Sequence, residues 1–291
     1  MTTLEPTSVL DRMMQAATSW KTVMVHAEAG SHASARLEAA AALAADLDAL
    51  LIGVGAEAIP PIAFTDPYMA ATTELVTQMH DAVAADLQSA EQVFRRHAAG
   101  ARHEWRAVSA PPGPSLAAQA RACDLIVSGG VPAGGVDPNR NSDPAELALT
   151  SGRPILVAPS AAHRLRARKI VVAWKDTREA RRALADAMPI LRVAEDVLVL
   201  AVCESKAMAD AEAQTSDVVA ALQRHGLKAR AKVASKSDGR AADVLNGEAA
   251  EIGADLIVAG CYGRSRMTEW VFGGVTRDLL HDPQRFVLFS H

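Results

Sequence analysis

Near the carboxyl end of this 291-residue chain lies a run whose residue types suit the binding of an anion. Gly260-Cys261-Tyr262-Gly263-Arg264-Ser265 is followed, after Arg266 to Phe272, by Gly273-Gly274-Val275-Thr276. The pattern is Gly, two residues, Gly, nine residues, Gly-Gly. Glycines let the main chain turn tightly and bring its N–H groups against an anion. The helix expected to begin after Gly274 adds unpaired N–H donors and a favourable dipole. Arg264, Ser265 and Arg266 offer side-chain donors, and Thr276 a hydroxyl. The chemistry this would support is that of a phosphate cradle. The plainer reading of the same residues is a glycine-rich strand-to-helix turn. A second candidate is Asp176 in Trp174-Lys175-Asp176-Thr177. It reads as a helix N-cap, with Glu179 three residues on completing a capping-box-like pair.

The elements that must position these residues come in two copies. Asp124-Leu125-Ile126-Val127 recurs as Asp255-Leu256-Ile257-Val258, an offset of 131 that runs without a gap to the C-terminus. Earlier, Lys21-Thr22-Val23-Met24-Val25 aligns with Lys169-Ile170-Val171-Val172-Ala173, an offset of 148. The 17 extra residues of the first copy are expected in the Pro-rich stretch from Ile59 to Thr73. The division expected is residues 1–160 and 168–291. In the second copy, short β-branched runs alternate with helical periodicity. Strands are expected at 170–174, 197–202, 228–234, 256–259 and 286–289, and helices at 180–191, 207–224, 241–252 and 275–281. Strands alternating with helices imply an α/β fold: two tandem, doubly wound, five-stranded parallel sheets of Rossmann-like type. Ligands in such sheets sit beyond the carboxyl ends of the strands, at the switch point. The loops after the first and fourth strands are therefore where chemistry should lie.

On these residues the sequence resembles the universal stress protein (UspA-like) family in its tandem form. That family ends each domain with Gly-x2-Gly-x9-Gly-Ser/Thr, the phosphate and ribose loop of its ATP-binding members, and carries an Asp after its first strand. The matching residues are Gly260, Gly263, Gly273 and Asp176. The resemblance implies an adenine-nucleotide-hydrolase-like fold and a non-catalytic, regulatory role in stress. It also implies that ATP or another adenine nucleotide, with Mg²⁺ accompanying it, binds the second copy. Asp176 would then contact adenine or ribose, and Val202 would line the adenine pocket. Gly274 departs from the family's Ser/Thr and removes a hydroxyl donor. One such bond to a charged group is worth about 1.5–3 kcal/mol, so weaker binding follows more naturally than none.

The first copy does not keep the cradle. At the offset of 131, Gly129 faces Gly260, but Pro132, Ser142 and Asp143 replace Gly263, Gly273 and Gly274. Pro132 has no N–H to donate. Asp143-Pro144 reads as an N-cap followed by Pro at the first helical position, and its carboxylate would repel a phosphate. At the offset of 148, Glu28 stands for Asp176. Residues 1–160 carry 10 Lys and Arg against 17 Asp and Glu, whereas residues 161–291 carry 20 against 17. An anionic ligand is drawn to the second copy.

The remaining features narrow the function class. A net charge of −4 argues against a general nucleic-acid or membrane-surface binder, and no apolar run approaches the ~20 residues of a spanning helix. With no signal-peptide pattern and only three scattered cysteines, Cys123, Cys203 and Cys261, a cytoplasmic protein is expected. Gly53-Val54-Gly55 lacks the helix a dinucleotide fingerprint needs. No nucleophile elbow, P-loop or zinc motif is present, so the chain reads as a binding module and not an enzyme. The competing readings are an interaction protein of the same fold and, less favoured, a weak ATP hydrolase. The last strands, Ile155–Ala158 and Phe286–Phe289, are apolar edges expected to pair with each other inside one chain, with homodimer formation beyond that.

Overall fold

The computed structural model describes residues 20–29, 33–61, 73–132, 134–161, 164–236, 240–261, 274–281 and 283–291. The first half runs β1 (Thr22–Ala27), α1 (Ser34–Asp46), β2 (Leu50–Ala56), α2 (Thr73–Ala98), β3 (His103–Val108), α3 (Pro112–Gln119), β4 (Leu125–Gly129), α4 (Pro144–Thr150) and β5 (Ile155–Ala158). The second runs β6 (Lys169–Trp174), α5 (Arg178–Asp186), α6 (Met188–Leu191), β7 (Asp196–Cys203), α7 (Met208–Arg224), β8 (Ala229–Ser235), α8 (Ala241–Ile252), β9 (Leu256–Gly260), α9 (Gly274–Leu280) and β10 (Phe286–Ser290).

The strands form one sheet in the order β3-β2-β1-β4-β5-β10-β9-β6-β7-β8. Each half is a parallel five-stranded, doubly wound unit. The seam is the expected edge pairing: β10 runs antiparallel to β5, with Val287 beside Val157 and Phe289 beside Ile155. Apolar edges that would otherwise be exposed thereby cover each other. Helices pack on both faces, which explains why the central strands are apolar almost throughout instead of alternating. One face buries Val23, Val25, Val172, Val258 and Leu288, and the other Met24, Ile126, Val171, Ile257 and Phe289. No helix among the described residues is long and apolar enough to cross a membrane.

Three sequence expectations need correction. The register aligns Val23 with Leu125 in the first half and Ile170 with Leu256 in the second. With Leu125 matching Leu256, Val23 matches Ile170, so the offset of the first strands is 147 and not 148. A slip of one residue exchanges the two faces of a strand. Indeed Val23 and Ile170 face the same core layer, as do Val25 and Val172. Ala29, not Glu28, therefore stands where Asp176 does. Second, the helix expected over 180–191 breaks at Ala187: α5 ends at Asp186 and α6 restarts with Pro189 in its first turn. Proline lacks the N–H that a continuous helix requires, but is tolerated at a helix start. The third concerns the capping of α5 and is taken up with the site.

With the offset at 147 the net excess of the first half is 16 residues and not 17. It lies between β2 and β3, and is shared between the Ile59–Thr73 stretch, of which residues 62–72 lie outside the described residues, and α2, which at 26 residues is longer than α7 at 17. Gly53 and Gly55 of β2 have a packing role: a Cβ on either would lie 2.6 Å from the ring of Phe94 or of Trp105.

Candidate functional site

In the second half the strand order reverses between β9 and β6, the pair that flanks the switch point. Ala173 of β6 lies beside Ala259 of β9, and Trp174 beside Ala201 of β7. Gly260 and Val202, each one residue further on, thus reach the carboxyl edge together with the Lys175–Thr177 turn. Val202 is half-buried and pairs with Ala234 of β8. Three of the residues singled out in the sequence, Asp176, Val202 and Gly260, therefore share one edge. Gly274 opens α9, and Thr276 in its first turn is buried. Gly263, Arg264, Ser265 and Gly273 lie outside the described residues.

The N-cap of α5 is Thr177, not Asp176. Thr177 has extended backbone angles, and its hydroxyl accepts the N–H of Ala180 at 3.3 Å. Asp176 points elsewhere, its Oδ1 held 2.5 Å from Arg181 Nη2 on the exposed rim. Glu179 does not close a capping box. Its side chain is buried (the residue is 4% exposed) with the Arg178 guanidinium at 3.4 Å. Both Asp and Thr are good caps, so the sequence left a one-residue ambiguity, which the pull of Arg181 on Asp176 resolves.

Gly260 has a packing task that spacing alone did not reveal. A Cβ there would stand 2.6 Å from the main-chain N of Ala180 and C of Glu179. The first turn of α5 thus rests directly on the end of β9. Around this contact, Cys261 N donates to Ser290 O at 2.8 Å and His291 Nδ1 lies 2.9 Å from Cys261 O. Arg178 Nη2 lies 3.3 Å from His291 Nε2. Arg178 and His291 were not foreseen; they converge only because β10 and α5 meet beside β9. Trp174 Nε1 and Ser290 Oγ, on the strands either side of Gly260, are buried with no hydrogen-bond partner among the described residues. Burial, with Asp143 adding to it, raises the Cys261 thiol far above the ordinary range. By contrast a Cβ on Gly274 would meet nothing within 4 Å among the described residues.

The equivalent edge of the first half is filled from within. Arg36 of α1 reaches over Gly129, its Nη1 2.8 Å from where a Cβ would be. Its Nε donates to His26 O at 3.1 Å, and its Nη2 pairs with Glu28 at 3.1 Å. Asn141 donates to the other oxygen of Glu28. Burial alone would raise the Glu28 carboxyl, but Arg36, with the hydrogen bonds, holds it below the ordinary range. The segment after β4 also folds back over β2. Asn139 O accepts from Ala58 N at 2.8 Å, and Arg140 bridges Glu57 at 2.8 Å and Asp86 at 2.5 Å. Asp143 caps α4 as expected, accepting from Ala145 N at 2.8 Å. Glu28 was expected to mark the loss of an Asp176-like group. It instead anchors the guanidinium that occupies the crevice.

Residues 166–288 match the family model described as the universal stress protein family. A universal stress protein from Archaeoglobus fulgidus DSM 4304 is similar in structure, with a TM-score of 0.67 at 14% identity, covering 93% of this chain and 98% of that one. A protein of unknown function from Pseudomonas aeruginosa PAO1 follows at 0.59 and 18% identity, covering 95% and 94%. No curated protein matches the sequence. At these identities the structural likeness speaks for the fold of the whole chain, and the family match for its second half. Residues 166–288 are thus similar to the universal stress protein family, and they are joined in tandem to a first half of the same doubly wound fold.

Proposed function

We propose that the second half, residues 168–291, binds ATP or another adenine nucleotide at the carboxyl edge of β6, β7 and β9, and that residues 1–160 are a structural partner without a nucleotide site. The observation that carries this reading is the contrast between the two edges. In the first half Arg36, Glu28 and Asn141 fill the switch-point crevice. In the second half no such side-chain plug is present among the described residues. There the edge offers Lys175, Arg178 and Arg181 as cations beside Asp176.

The residues present fit such a ligand. Asp176 and Val202 would face the nucleoside, and Gly260, Gly263, Arg264, Ser265, Gly273, Gly274 and Thr276 the ribose and phosphates. No described residue would meet a Cβ on Gly274 within 4 Å. Mg²⁺ would accompany the phosphates. Binding, not turnover, is the role: the nucleotide sets the state of a regulatory module in the cytoplasm, where three free thiols suit a reducing compartment. The edge strands β5 and β10 are already paired with each other, so a homodimer would use another surface.

Calorimetric titration of the whole protein with ATP and Mg²⁺ tests the proposal. Saturable binding that Gly263→Val abolishes is expected. Absence of both heat and thermal stabilisation at millimolar ATP would overturn it in favour of an interaction module of the same fold.

A further inference from the structure

The opposite edge of the second half, where its strands begin, carries a feature that nucleotide binding does not use. Six exposed cations stand there: Arg166 and Arg168 before β6, Lys169 at its first position, Arg192 before β7, Lys228 before β8 and Arg230 on it. Main-chain bonds hold them close together. Glu195 N donates to Arg168 O at 2.7 Å, and Val197 N to Lys228 O at 2.9 Å. Glu195 feels Arg168, Lys169 and Lys228 at once. From β6 to β8 is two strand spacings, about 10 Å.

Three acids lie among them, but they are committed. Glu195 pairs with Arg168 at 2.7 Å and Asp196 with Arg230 at 3.1 Å, while Asp255 accepts the N–H groups of Arg166 and Ala167. Arg166, Lys169, Arg192 and Lys228 have no ion pair or side-chain hydrogen bond among the described residues. In their midst Val193 is 69% exposed, more than any other large apolar side chain described. The duplicated fold supplies its own control. At the matching positions of the first half, Lys169 becomes Thr22, Arg192 becomes Asp46 and Arg230 becomes Glu104, whereas Arg168 and Lys228 stay basic as Lys21 and Arg102. The fold therefore does not require a cation at Lys169, Arg192 or Arg230.

We infer that this amino edge is a docking surface for an acidic segment of a partner protein that carries an apolar side chain for Val193. An extended polyanion fits less well, because the first half of the chain holds 17 acids against 10 bases and would repel a membrane or a duplex lying across both halves. A short acidic segment touches only the basic edge.

The test is fluorescence anisotropy of the full-length protein with a labelled peptide of glutamates around one central leucine, at low and at physiological salt. Expected is saturable binding that weakens with salt and falls by about tenfold or more in the K169E/K228E variant. Both side chains are exposed, so this variant should fold. R95E/R96E, with the same change in net charge at the end of α2, should bind as the wild type does. Val193→Ser should weaken the leucine peptide but not its all-glutamate counterpart. The inference is overturned if the wild type does not bind, or if both charge reversals weaken binding equally. Tighter binding to phosphatidylserine vesicles or to single-stranded RNA than to the peptide would also overturn it.

Discussion

Two glycines of one motif are predicted to respond oppositely to the same substitution. In Gly260→Ala the new methyl would lie 2.6 Å from the main-chain N of Ala180 and C of Glu179, and 3.0 Å from the Cα of Ala180. Carbon atoms rest comfortably at about 3.5–4.0 Å, so the start of α5 must retreat by about 1 Å. The clash is with backbone, and no side chain can swing aside to relieve it. Overpacking of this kind costs about 1–3 kcal/mol, and displacement of a whole helical turn places Gly260→Ala at the upper end. In Gly274→Ala the methyl meets nothing within 4 Å among the described residues. There alanine restricts the unfolded chain and stabilises by about 0.4–1 kcal/mol. Urea denaturation of the two variants, followed by circular dichroism, measures both effects. A Gly260→Ala protein as stable as the wild type would refute the close packing of α5 on β9. A Gly274→Ala protein that loses as much stability as Gly260→Ala would refute the open environment of α9. Gly274→Ser also restores the hydroxyl that the family pattern places there. It is predicted to tighten ATP binding by about ten- to a hundredfold, the equivalent of 1.5–3 kcal/mol.

Three further outcomes follow from the first half. His26 is buried, its Nε2 without a partner among the described residues; burial, and then Arg36, lower its pKa from 6.5 to about 4. The unfolded chain therefore takes up a proton that the folded one refuses, and stability present above pH 6.5 is lost as pH falls toward 4. From pH 7 to pH 5 this amounts to about 2 kcal/mol, a loss that denaturant titration should find removed in His26→Leu. Arg36→Ala strands the half-buried Glu28 and should cost about 2–4 kcal/mol, with the Arg36→Ala/Glu28→Ala double variant recovering part of it in a double-mutant cycle. Asp143→Ala removes the cap of α4 and should lower stability by about 1 kcal/mol in the same assay.

Much of this architecture was legible in the residues, for physical reasons. Repetition of Asp-Leu-Ile-Val at a fixed offset marked two copies, and β-branched runs alternating with helical periodicity marked a parallel sheet. Two equally apolar final strands marked the seam, because each needed cover. What escaped depended on tertiary contact. The offset of 148 matched Lys21 to Lys169 by identity, whereas β1 and β6 are set by register against β4 and β9, which needs 147. Thr177 and Asp176 are both competent caps, and Arg181 decided between them. The candidate site was found by its glycines, yet the demand the structure places on Gly260 is the close approach of the α5 backbone. Closure of the first half by Arg36 has no sequence signal, because its guanidinium reaches Gly129 across 93 residues of chain.

The central claim is that one half of a duplicated protein holds a nucleotide while the other is closed by its own side chains. Equilibrium dialysis of the full chain against labelled ATP with Mg²⁺, carried to saturation, measures this directly as a stoichiometry. One nucleotide per chain is predicted. Two per chain, or none, would contradict the account.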